Sequence, residues 1–171
     1  GVALANTVTY PSNNKLADQL KIVAKLINGG LKTPVYIVNH PNTHDTHEYQ
    51  VNTTDKTIGS QATNLTILSQ AIGAFQQDIE AMGKADKVAG MTFSEFGRRI
   101  KSNASFGTDH GSAAPVMFFG SALNTSPAQV AGTQHPVPGM IGASPNIPTN
   151  ATVSDQVPMQ FDYRQLYASV M

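Results

Sequence analysis

Two short constellations in this chain join a carboxylate to an imidazole: Asp45-Thr46-His47 and Asp109-His110. A carboxylate offers a divalent cation a hard oxygen and offsets its charge, and a neutral imidazole offers a borderline nitrogen. Zinc, manganese and iron sites are built from such mixtures. Asp and His are also common turn residues, so one Asp-x-His alone is more often a structural turn. Two of them on loops of one sheet bring the metal reading level with the bland one. His40 and His44 flank the first constellation, and both fit a turn after a strand. Between the two constellations lie Ser94, Glu95 and Arg98. Glu95 suits a carboxylate that orients a ligand histidine, or an ion pair with Arg98. Arg98 suits bidentate contact with an anionic ester oxygen, or a surface salt bridge. No base is placed beside Ser94 by any motif, so it reads as structural.

The elements that must position these residues follow from periodicity. Leu16, Leu20, Val23 and Ile27 step by four, three and four before Gly29-Gly30, which predicts an amphipathic helix. Pro34 introduces Val35 to Val38, a β-branched run read as a strand buried on both faces. The polar segment from Asn39 to His47 is then a loop at the strand's end. Leu65, Leu68, Ile72, Phe75, Ile79 and Met82 predict a second helix whose stripe packs on a sheet. Val88 to Phe93 and Val116 to Phe119 read as two further strands. Helices alternating with strands argue an α/β architecture with a mainly parallel sheet. Residues 1–171 thus form a single α/β segment, interrupted at 124–158 by a long polar loop rich in Gly and Pro. Residues 162–171 read as a helix start. Three strands are too few for a doubly wound sheet, which makes the chain part of a larger fold.

Composition narrows the partners. Charged residues are 13%, and 11 Lys+Arg balance 11 Asp+Glu. A nucleic-acid binder or a surface-adsorbed membrane protein would show clustered cations, so neither partner is expected. No apolar run approaches the length of a membrane-spanning helix. Asn, Gln, Ser and Thr, 51 of 171 residues, replace the missing charge, a balance that suits an exported protein, periplasmic or extracellular. There is no Cys, which excludes thiolate ligands and Cys nucleophiles.

The run Met91-Thr92-Phe93-Ser94-Glu95-Phe96-Gly97-Arg98-Arg99, followed by Asn103 and Gly107-Thr108-Asp109-His110-Gly111, resembles the signature of a family of exported bacterial proteins, domain of unknown function 1501. Tyr10-Pro11, Asp45-Thr46-His47, Gln50, Phe75, Asp78, Gly83 and Asp162-Tyr163-Arg164 extend the resemblance over nearly the whole chain. It implies the alkaline phosphatase and sulfatase superfamily, with an α/β fold of which this chain is the C-terminal half. It also implies one or two divalent ions, zinc, manganese or calcium, with Asp45 and His47 on the first and Asp109 and His110 on the second. His135 is the downstream candidate for a further ligand, and His44, where relatives carry Gly-Phe, is either an added ligand or an exposed turn residue. The function implied is metal-assisted hydrolysis of a phosphate or sulfate ester by the complete protein, the N-terminal half of the fold being this segment's partner. This segment alone is expected to be inactive. The alternative is a non-catalytic exported surface or assembly protein that retains the fold.

Overall fold

A computed structural model of the chain describes residues 6–123, 139 and 141–168. Its first helix, α1 (Lys15–Asn28), starts where the Asn14 side chain accepts a hydrogen bond from the Ala17 N–H. It ends at Gly29, with Gly30 in the left-handed conformation that a residue with a Cβ seldom adopts. The second, α2 (Ser60–Ala81), is longer than its apolar stripe. Residues α2 buries include Ala71, Ala74, Phe75 and Ile79, whereas Leu65 is exposed.

The expectation that α2 packs on a sheet is corrected: it packs on α1. Fully buried alanines on both helices, Ala17 and Ala24 against Ala71, let the two backbones approach, and Leu16, Leu20, Val23, Phe75 and Ile79 fill the seam. The Asn14 amide ties this seam by donating to the Ile67 carbonyl at 2.8 Å.

Asp78, with no exposed surface, fastens the N-terminal segment across the same helices. Its carboxylate accepts from Asn6 Nδ2 (2.7 Å), the Thr7 N–H (2.8 Å), the Thr7 hydroxyl (2.6 Å) and the Tyr10 hydroxyl (3.0 Å). Burial works to raise the pKa of Asp78, but the Thr7 and Asn6 hydrogen bonds outweigh it and hold it below the usual carboxylate range. Burial, with help from Asp78, pushes the Tyr10 hydroxyl upward.

The larger correction concerns the sheet. A mainly parallel sheet flanked by helices is absent among the described residues, and the architecture is not alkaline-phosphatase-like. Among the described residues, four strands of two residues each form two separate antiparallel pairs: β1 (Gly90–Met91) with β4 (Phe118–Phe119), and β2 (Gly97–Arg98) with β3 (His110–Gly111). Val35 to Val38 forms no strand and pairs with none among the described residues. Its residues alternate instead, Tyr36 and Val38 packing on the helical core while Val35 and Ile37 are 69% and 78% exposed. One face of an extended segment is enough to satisfy a β-branched run. A side chain then takes over what a neighbouring strand would do, because Gln19 on α1 donates to the Asn39 carbonyl and accepts from its N–H.

Residues 141–162 hold no helix or strand, and α3 (Tyr163–Ala168) follows them. Among the described residues no helix is long and apolar enough to cross a membrane.

Candidate metal centre

The loop from Pro41 to Glu48 and the β2–β3 pair converge on one spot. Asn64, buried on α2, holds the loop by donating to the Thr43 carbonyl at 2.6 Å. From the other side, an isolated bridge joins Glu48 to Phe106, and the N–H groups of Tyr49 and Gln50 donate to Ser105 and Phe106. Tyr49 and Phe106 both sit at positive φ, 47° and 58°, a conformation uncommon for bulky residues. Gly107 lies hard against the His47 backbone, where a Cβ would collide with the carbonyl. Gly97 meets Ala113 in the same way. These close approaches explain why the glycines of the signature occupy their positions.

At the convergence, Asp45 Oδ1, His47 Nε2 and His110 Nε2 form a triangle with every side 3.0 Å. Among the described residues this is the group of three donors that could hold a metal ion. A cation ~2.1 Å from three atoms so spaced meets them at angles of about 90°, which suits two imidazoles and a carboxylate on one face of an ion.

The surroundings fix what each atom presents. Asp109 Oδ1 lies 3.4 Å from His47 Nδ1 and receives the Asn103 amide at 3.2 Å. A proton on Nδ1 shared with Asp109 leaves His47 Nε2 as a bare lone pair facing the triangle. His110 Nε2 lies within hydrogen-bond distance of both Asp45 Oδ1 and His47 Nε2, so the centre of the triangle is a place that a proton on His110 or a metal cation can fill. Asn103 also donates to the His47 carbonyl and accepts from the N–H groups of Ser105 and Gly107, so one amide fastens the ligand loop to its support.

His110 is held by a stacked ring, the Phe96 centroid lying 3.7 Å away at 15°. Arg98 pairs in register with His110 across β2–β3. Its terminal nitrogens donate to the Thr108 and His44 carbonyls and to Asp45. Burial acts to raise the pKa of Asp45, but the hydrogen bonds from Arg98 and His110 win, and the carboxyl lies below its ordinary value. The Asn103 hydrogen bond, followed by that of His47, lowers Asp109 in the same sense.

The residues singled out in the sequence thus divide. Asp45, His47 and His110 share one group, while Asp109 stands behind His47. Arg98 grips Asp45 and turns its guanidinium toward the protein. Glu95 is exposed and has no hydrogen bond or ion pair among the described residues. His44 is outside the triangle. Its ring meets His40 edge-on at 5.0 Å, and burial first, then the neighbouring His40, lower its pKa. Ser94 donates to the Phe96 carbonyl within its own turn. Arg164 pairs with Asp162. His135 lies outside the described residues. Phe96 and Asn103 carry roles that spacing could not assign; the signal for both was their place inside the signature.

A family model described as protein of unknown function (DUF1501) matches residues 23–171. No curated protein and no solved structure matches the chain.

Proposed function

The chain belongs to the DUF1501 family of proteins of unknown function, and on that premise we propose that Asp45, His47 and His110 hold one divalent metal ion in a hydrolytic centre. The observation that carries this is the 3.0 Å triangle of donor atoms, with the tautomer of His47 set from behind by Asp109. Asp45 and both histidines are exposed. Three protein ligands on one side with the other side open to water is the pattern of catalytic rather than structural sites. When bound, such an ion supplies Lewis acidity and a water activated near neutral pH. The chain's own residues then do the positioning. Arg98 fixes the Asp45 carboxylate, Asp109 and Asn103 orient His47, and Phe96 sets the plane of His110.

The reaction we assign to the complete protein is hydrolysis of an ester, a phosphate or sulfate ester foremost, outside the cytoplasm. The uncharged polar composition supports that location. That this chain is the C-terminal part of a longer protein is part of the same proposal. Val35 and Ile37, exposed on a run with no partner strand among the described residues, support it.

The test is metal stripping and reloading of the purified complete protein, followed by assay on nitrophenyl phosphate and nitrophenyl sulfate. One ion per chain and metal-dependent turnover are expected. Stoichiometric metal without turnover would favour the non-catalytic alternative, and no bound metal would end both the centre and the reaction.

A further inference from the structure

A cleft of about 640 Å³ opens directly beside the triangle and shares Asp45 and His47 with it. Its size falls within the range of about 300–1,000 Å³ typical of small-molecule sites. Its lining is unusual for a site that meets an anion, because no Lys or Arg contributes to it. The nearest cation of the centre, Arg98, already serves Asp45 and two carbonyls. What lines the cleft instead is amide and hydroxyl: Asn42, Asn64 and Asn103 with Thr43, Ser60 and Ser105. Two carboxylates, Asp45 and Glu48, complete the wall.

Much of this polar surface is already spent on the fold. The Asn103 and Asn64 amides hold backbone, and Ser60 donates to the Tyr49 carbonyl. Four groups are left over among the described residues: the Glu48 carboxylate, the Asn42 side-chain oxygen and the Ser105 and Thr46 hydroxyls make no hydrogen bond there. Glu48, Asn42 and Ser105 are exposed, and Thr46 is buried. The surplus is therefore mainly one of acceptors, with two hydroxyls of either sense. A ligand that matches a surplus of acceptors presents donors, and a ring rich in hydroxyl groups presents several at once. A bare anion matches nothing in the cleft and meets two carboxylates of its own sign.

We propose that this cleft seats an uncharged, hydroxyl-rich ring, a sugar, so that the substrate of the adjoining centre is a carbohydrate derivative. Glu48 and Asn42 accept from ring hydroxyls, and Ser105 supplies the remaining contact. The proposal rests on the metal-centre reading, because Asp45 and His47 belong to both, and the experiment separates the two.

Saturation-transfer NMR on the purified chain, with and without zinc, would use methyl glucoside, methyl galactoside and methyl mannoside as probes, with phenyl phosphate as the anionic comparison. Zinc stoichiometry is measured on the same samples. Saturation of at least one glycoside is expected, weakened at least tenfold in Glu48→Gln and in Asn42→Ala, both exposed positions, with circular dichroism and zinc stoichiometry checking that each variant keeps its fold and centre. Phenyl phosphate without zinc is expected to show none. Zinc binding with no glycoside response overturns the sugar proposal and leaves the metal centre standing. Glycoside binding without zinc uptake supports the cleft and removes the centre beside it. A glycoside response unchanged in both variants overturns the proposal, since the ring then lies elsewhere.

Discussion

Asp109 illustrates how a residue chosen for one role is used for another. Its adjacency to His110 marks it as a ligand by composition, yet only His110 points into the triangle, and Asp109 reaches back to His47. Neighbours in an extended segment face opposite ways, so an Asp-His pair there gives one side chain to each side. Asp109→Asn is therefore expected to leave the ligand set complete but to lower metal affinity by about 10- to 100-fold, the usual cost of losing a carboxylate behind a ligating histidine. Competition with a chromophoric chelator measures it. An unchanged affinity would remove Asp109 from the centre. The chemistry-bearing residue types were legible in the sequence, because Asp45, His47 and His110 carry their identity with them. Phe96 was not, since a phenylalanine beside a strand reads as core until its ring is seen stacked on an imidazole.

At the scale of elements, the helices were readable and the strands were not. A helix satisfies its own backbone, so the spacing from Leu16 to Ile27 suffices to place α1 within a residue or two. A strand needs a partner, and nothing in Val35 to Val38 says that the Gln19 side chain will serve instead. The tie at Asp78 gives an element-scale expectation. Asp78→Ala leaves the Thr7 N–H and the Tyr10 hydroxyl without their acceptor and should destabilise the helical pair by about 3 kcal/mol, read by urea unfolding. The depressed pKa of Asp78 carries a pH dependence. Its stabilisation is fully present above about pH 4, the carboxylate's unfolded range, and is lost as pH falls through the lower folded value. In Asp78→Ala the acid limb of the stability curve should flatten. In the loops, Gly107→Ala is expected to abolish metal binding while α1 and α2 keep their circular dichroism, because the added Cβ meets the His47 backbone.

The whole molecule is a helical pair carrying a loop-built centre, with no continuous sheet among the described residues. Its order is therefore uneven. The α1–α2 seam holds nearly all the buried apolar residues, whereas the centre is assembled from hydrogen bonds, two tiny strand pairs and three exposed donors. Sequence patterning overestimated the sheet because short β-branched runs look alike whether they pair or merely lie on a core. A ligand that binds only the folded centre should stabilise the molecule by mass action, about 2.7 kcal/mol at a hundred times its dissociation constant, seen as a metal-dependent rise in Tm. The claim on which the rest depends is that Asp45, His47 and His110 bind one ion together. Calorimetric titration of the metal-free chain with zinc tests it most directly, alongside Asp45→Asn, His47→Ala and His110→Ala. One ion per chain, with each substitution lowering affinity at least a hundredfold, is the predicted result; no uptake, or uptake that survives all three substitutions, would contradict it.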